Sequence, residues 1–284
     1  MSSELRQRLN EATETLRSAG VASPDFDAAE LLAHVLGTSR ALLPISAADP
    51  TPEQASQYAD LVARRARREP LQHLTGVAAF RHVELAVGPG VFVPRPETEL
   101  LAGWAIDQAR AIVSSDPVVV DLCTGSGAIA RSVADEVPSA RVYAVELDEG
   151  ARRWAERNLD GTGVELRHGD MAEAFDDLAG TVDVVVCNPP YIPLEAWESV
   201  AQEARDHDPH LALFSGDDGL VAMRVLEQRA AVLLRDGGVV GAEHADVQGE
   251  SAPAVFSGAG RWSEVRDHPD LAGRARFVTA RLAR

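Results

Sequence analysis

Two stretches of this sequence carry residue types that do chemistry only in combination. The first is Asp121-Leu122-Cys123-Thr124-Gly125-Ser126-Gly127, which sets an acid, a hydroxyl and two glycines side by side. Glycine lets a backbone turn sharply and pass close to a ligand, and a loop of this kind opening into a helix presents its amides there. Glu146 follows 21 residues after Gly125. A carboxylate at that spot can accept both hydroxyl hydrogens of a ribose. The second stretch, Asn188-Pro189-Pro190-Tyr191, comes straight off an apolar run. Its prolines have fixed φ and no N–H, which leaves carbonyls to face a cleft. A planar –NH2 group needs one acceptor per hydrogen, and the Asn188 side-chain oxygen and the Pro189 carbonyl can supply that pair. Tyr191 adds a flat face against which a planar amide or base packs.

Each stretch alone is ambiguous. Gly125-x-Gly127-x-x-Ala130 also satisfies the dinucleotide fingerprint, so nicotinamide binding is a rival. Asp121 counts against it, because an acid at the strand end can meet the positive end of an amino-acid-like ligand. A lone Pro-Pro-Tyr reads as a turn ending a strand. Behind a glycine loop and a ribose acid, in that order, it reads as a grip on an amino group.

These residues need elements to hold them. Val118–Val120, Val142–Val145 and Val182–Cys187 are short runs of buried, mostly apolar type, and Gly237-Gly238 opens another at Val239–Ala242. Helical patterns lie between them, which predicts a parallel sheet with helices on both faces. Upstream, Leu5, Leu9, Ala12 and Leu16 recur at helical spacing before Gly20, and Phe26–Leu36 repeats the pattern before Gly37. Thr51, Pro52 and Gln54 form a helix start of capping-box type, and that helix runs through Tyr58, Leu61, Val62 and Arg65. Residues 79–85 and 91–93 flank Gly88-Pro89-Gly90, which suggests a hairpin. The expected division is a helical domain over 1–76, a hairpin linker over 77–95 and an α/β domain over 96–284.

Composition narrows the partners. The 284 residues hold 27 basic residues, all Arg, against 44 acidic ones, a net charge of −17. That balance repels phosphate backbones and argues against stable nucleic-acid binding. No apolar run approaches the length of a membrane span, and the first residues are polar rather than signal-like. Two cysteines cannot build a secreted disulfide framework, so the chain is read as cytoplasmic, with Cys123 and Cys187 as reduced, packed thiols. His207 and His210 form no metal-like cluster. Arg64, Arg65, Arg67 and Arg68 read as a solvated helix end. Glu243-His244 reads as a solvated strand end near the cleft, with Glu243 lining the active site as the alternative reading.

The order Asp121-x-x-Thr124-Gly125-Ser126-Gly127, Glu146, Gly169-Asp170, Asn188-Pro189-Pro190-Tyr191 resembles the S-adenosylmethionine-dependent amino-group methyltransferases. Two further segments, from Arg68 to Gly76 and from Phe92 to Glu99, resemble the peptide-chain release-factor glutamine N5-methyltransferases, and this likeness spans nearly the whole chain. Asn-Pro-Pro-Tyr alone is shared with enzymes that methylate adenine N6 in DNA or guanine N2 in ribosomal RNA, which is the alternative reading. A binding protein that keeps only the cofactor loop is a third.

The resemblance implies a Rossmann-like domain, its sheet mostly parallel with an antiparallel last strand, and a helical N-terminal domain that docks the substrate. It implies S-adenosyl-L-methionine as cofactor, S-adenosyl-L-homocysteine as product, and no metal. Thr124, Gly125, Ser126 and Gly127 would cradle the methionine part, with Asp121 and Cys123 beside them. Glu146 would hold the ribose, Asp170 and Met171 would flank the adenine, and Phe92 and Arg95 would close the pocket. Asn188, Pro189, Pro190 and Tyr191 would grip the glutamine amide, with Asn188, Pro189 and Tyr191 as the catalytic set and Asn188 also against the cofactor. Release factors would be the protein partners of a monomer that binds neither membrane nor nucleic acid. One departure stands out: Cys123 occupies a position where the family more often has glycine. Two acceptors on the amide hydrogens would orient the nitrogen and stabilise its developing charge, with no general base.

Overall fold

The computed structural model describes residues 2–46, 49–112 and 116–283. The chain falls into two compact units, Met1–Val77 with Ala201–His207, and Ala78–Val200 with Asp208–Arg284. The sequence places 96–284 in one continuous block, and the segment Ala201–His207 is the exception to it.

The first unit contains α1 (Ser3–Ser18), α2 (Pro24–Leu36), α3 (Leu43–Ser46), α4 (Pro52–Ala66) and α5 (Leu71–Thr75). Leu5, Ala12 and Leu16 bury one face of α1 among Leu31 and Leu32 of α2 and Tyr58, Leu61 and Val62 of α4. Thr51 and Gln54 close the capping box in both directions. The arginine run is not a solvated helix end. Arg65 is 7% exposed and donates to Asp27 at 2.7 Å and to Glu203 at 3.0 Å. Arg68 forks onto Glu203 at 2.8 and 2.7 Å, and Arg64 pairs with Glu69. Against the burial that would raise it, these hydrogen bonds hold the Glu203 carboxyl near 2. Glu203 lies 138 positions from Arg65, which is why no local pattern announces the pairing.

A two-stranded sheet pairs β1 (Val77–Phe80) with β2 (Val83–Ala86). Its turn is Arg81-His82, with Arg81 at φ 52, and not the glycine-rich stretch that the sequence suggests. Gly88 instead makes room for a ring, since a Cβ there would lie 2.6 Å from Trp154. Val91 and Val93 form no strand and are buried at 0% and 1% exposure.

The large sheet runs in the order β5-β4-β3-β6-β7-β9-β8. Its strands are β3 (Val118–Leu122), β4 (Arg141–Glu146), β5 (Glu165–His168), β6 (Val182–Cys187), β7 (Leu234–Glu243), β8 (Trp262–Pro269) and β9 (Ala275–Leu282). β3 to β7 pair in parallel, and β9 runs antiparallel between β7 and β8. Val119, Val184 and Val186 face a core shared with α6 (Thr98–Arg110), α7 (Ala128–Glu136) and α8 (Glu149–Leu159). Val118, Val120 and Val185 face the opposite core, with Met223, Leu226 and Phe256. Two buried faces explain the unbroken valine runs. Strand order reverses about β3, so a crevice forms at the carboxyl ends of the strands. The glycine loop, Glu146, Asn188 and Glu243 all leave the sheet at that edge.

Candidate active site

The loop after β3 is held by its own acid. Asp121 is 1% exposed, and its Oδ2 accepts from Thr124 Oγ1 at 2.6 Å and from the Ala130 amide at 3.1 Å. Its Oδ1 has no hydrogen-bond partner. Burial lifts this carboxyl to about 7, against the two hydrogen bonds that oppose the rise. The sequence assigns Asp121 to the ligand alone, whereas the structure commits half of it to the loop. Thr124 donates its amide to the Val145 carbonyl at 3.0 Å. Cys123 sits at φ 62, a left-handed conformation that favours glycine. Its thiol lies 3.5 Å from the Met171 sulfur and packs on the core that holds Cys187. Both cysteines are free thiols.

Glu146, 8% exposed at the end of β4, reaches back across the crevice. Its Oε2 accepts from the Gly125 amide and its Oε1 from the Asp148 amide, both at 2.8 Å. Burial raises its pKa over the pull of these amides. An ionised carboxylate has about four acceptor sites, so these amides leave capacity on Glu146 for a ligand hydroxyl. Met171 is nearly buried, and Asp170 is exposed with Oδ1 on the Ala172 amide at 2.9 Å. Arg95 lies 5.0 Å over the Phe92 ring and donates to Asp208 at 2.8 Å. Asn158 ties the hairpin to the loop, donating to Ala86 O at 2.9 Å and Ser126 O at 2.8 Å.

At the end of β6, Asn188 is half-buried and donates from Nδ2 to Thr98 Oγ1 at 3.3 Å. Pro189 is buried. Tyr191 donates from its hydroxyl to Glu243 Oε1 at 3.2 Å and accepts at its carbonyl from Gln248 at 3.0 Å. Burial, then the Glu243 charge, push the tyrosine hydroxyl well above its usual range. Glu243 and His244, which the sequence suggests are a solvated strand end, are 1% and 0% exposed. Burial lifts Glu243 to about 7, while the Thr98 hydrogen bond, the Arg276 charge and the Tyr191 hydroxyl pull it down.

The sequence alone does not single out Thr98, Asn158 or Asp208. Thr98 stands inside the segment from Phe92 to Glu99, but nothing local marks it, since its partners lie 90 or more positions away. The structure brings the glycine loop, Glu146 and Met171 together on one side and Asn188 and Tyr191 on the other.

Residues 7–76 match the PrmC N-terminal domain and residues 119–207 match the methyltransferase domain. A protein of Streptomyces coelicolor named release factor glutamine methyltransferase is 57% identical over 96% of both chains. Another of that name, from Mycolicibacterium smegmatis, is 47% identical over 99% of both. The chain belongs to the release factor glutamine methyltransferase family.

As a member of that family it is a methyltransferase, and its cofactor is S-adenosyl-L-methionine. A Streptomyces pristinaespiralis protein named 4-amino-L-phenylalanine/4-methylamino-L-phenylalanine methyltransferase is 43% identical over 93% of this chain and 91% of its own. The loop suits the cofactor on two counts. Asp121 Oδ1 is a buried acceptor without a donor, matching an ammonium, and a Cβ built on Gly125 would meet nothing within 4 Å.

Proposed function

We propose that this chain methylates the side-chain amide nitrogen of a glutamine in peptide-chain release factors. The observation that carries the reading is the orientation of Asn188 at the end of β6: its Nδ2 donates to Thr98 Oγ1, which leaves Oδ1 to accept from a substrate. When bound, S-adenosylmethionine supplies an electrophilic methyl on a sulfonium. The protein itself must prepare the nucleophile, an amide nitrogen whose lone pair is delocalised. Asn188 Oδ1 and the Pro189 carbonyl each accept one amide hydrogen, and the face of Tyr191 packs on the amide plane. These contacts hold the nitrogen in line and stabilise the positive charge it gains. No base is assigned, because an alkylated amide sheds its proton readily to water. Asp121 Oδ1 receives the ammonium and Glu146 the ribose hydroxyls. Asp170 and Met171 flank the adenine, and Phe92 stacked by Arg95 closes the pocket. The helices of residues 1–76 dock the release factor.

The alternatives fit less well. A base methyltransferase acting on naked nucleic acid needs a basic surface, and this chain carries −17. The test is to incubate purified enzyme with labelled methyl donor and a release factor, then map the labelled residue by mass. Label on one glutamine amide is expected. Comparable turnover of adenine in DNA, or of 4-aminophenylalanine, overturns the assignment.

A further inference from the structure

Asn188-Pro189-Pro190-Tyr191 is poor in anchors of its own, because its two prolines have no amide hydrogen to give. Its last residue is nevertheless tied at both ends. The Tyr191 hydroxyl donates to Glu243 Oε1 at 3.2 Å, and its backbone carbonyl accepts from Gln248 Nε2 at 3.0 Å. Glu243 ends β7, and Gln248 lies in the turn that follows it.

We propose that Gln248, with Glu243, sets the Tyr191 ring against the acceptor amide: one holds the backbone beneath the ring and the other its hydroxyl. The inference rests on the reading above, in which Tyr191 packs on the plane of the glutamine amide. Three observations carry it. Gln248 is 4% exposed, and its three backbone partners allow its amide one orientation only. Its Oε1 accepts from the Ala245 amide at 3.0 Å, while Nε2 donates to the carbonyl of Tyr191 and, at 3.4 Å, to that of Asp218. Gly219 packs hard on this joint: a Cβ there would lie 2.3 Å from the Tyr191 carbonyl oxygen and 2.7 Å from Gln248 Nε2. Only glycine allows so close an approach. At the other end, Glu243 is 1% exposed, and it offers the Tyr191 hydroxyl an acceptor oxygen whether its carboxyl is ionised or neutral. Gln248 and Glu243 are positioning residues: they act through Tyr191.

The test compares Gln248→Leu, Gln248→Glu, Gly219→Ala, Tyr191→Phe and Tyr191→Ala in the full-length enzyme with a release factor as substrate. S-adenosylhomocysteine affinity and thermal melts are the controls. Gln248→Leu removes the joint, and Gln248→Glu keeps the acceptor for Ala245 but sets a carboxylate against two carbonyls. Each should lower kcat about 10- to 100-fold, the scale of an ~1 Å misplacement, with cofactor affinity unchanged. Gly219→Ala should reproduce the defect from the other side of the joint. Tyr191→Phe should lose less, because Gln248 still holds the backbone. On a Tyr191→Ala background, Gln248→Leu should have no further effect, because its route to the substrate is gone. If Tyr191→Ala is impaired while folded Gln248→Leu and Gln248→Glu turn over normally, the clamp is wrong and the role of Tyr191 stands. A Gln248→Leu defect that persists undiminished on Tyr191→Ala also overturns it. If Tyr191→Ala itself turns over normally, the reading beneath falls, and the clamp with it. Should Gln248→Leu fail to fold, Gln248→Glu and Gly219→Ala decide.

Discussion

The glycine loop and the Asn-Pro-Pro-Tyr segment leave the same sheet edge, and each has a buried carboxyl lifted to about 7, Asp121 in one and Glu243 in the other. They are secured differently. Asp121 accepts from a hydroxyl three positions on and from an amide nine positions on, and Glu146 accepts two backbone amides. Glu243 instead accepts the Tyr191 hydroxyl from a segment 52 positions away, and Asn188 reaches a threonine 90 positions away. Backbone amides are present whatever the side chain, so the loop tolerates a departure such as Cys123. The side-chain pairs Asn188–Thr98 and Tyr191–Glu243 have no such reserve. One half of the site is held by the path of the chain, and the other by the identity of a few side chains.

The comparison can be broken most directly at Asn188. Asn188→Ala should depress methyl transfer about 10²–10³-fold, as loss of a preorganised contact does, and leave S-adenosylhomocysteine binding intact. A parallel loss of cofactor affinity in calorimetry would show that the two halves are not separable. Glu146→Ala should do the reverse, weakening S-adenosylhomocysteine by ~1.5–3 kcal/mol through lost charge-assisted hydrogen bonds, with turnover at saturating cofactor largely kept. Unchanged affinity removes Glu146 from the ribose.

The two carboxyls can be told apart by pH. An acid whose folded pKa lies above its unfolded value adds stability that is complete below about pH 4 and is lost as pH rises through about 7. Relative to Asp121→Asn or Glu243→Gln, the parent melting temperature should therefore fall between about pH 4 and pH 7. The scale is roughly 2–4 °C per kcal/mol for a chain of this size. Cofactor binding should separate them: an ammonium on Asp121 forces ionisation and releases about half a proton at pH 7. Buffer-dependent binding enthalpy should vanish in Asp121→Asn and persist in Glu243→Gln. Equal behaviour of the two variants would put the ammonium elsewhere. The smallest effect belongs to Cys123→Gly. Relief of the left-handed strain and the added freedom of the unfolded chain offset each other to within about 1 kcal/mol, so melting temperature and activity should hardly move.

Much of this is legible in the linear chain. The valine runs mark strands buried on both faces, because a strand covered twice has no polar side to show. Asp121, the glycines and Glu146 are marked by short spacings, because each sits where a strand meets its loop. The hairpin turn lies away from the glycines that suggest it because glycine has two uses: Gly88 makes room for Trp154, while Arg81 takes the turn at φ 52. The arginine run misleads because its counter-charges, Asp27 and Glu203, come from other segments.

By itself, then, the sequence determined the order of strands and helices, the glycine loop that leaves one strand and the Asn-Pro-Pro-Tyr tetrad that leaves another, since all of these depend on neighbours along the chain. Only the tertiary structure decided that Thr98, Tyr191 and Glu243 converge behind Asn188, and that Asn188 turns its amide nitrogen inward. The physical reason is that hydrogen-bond sense in a buried network is set by groups that meet in space, and a hydroxyl in the chain carries no mark of whether it will donate or accept.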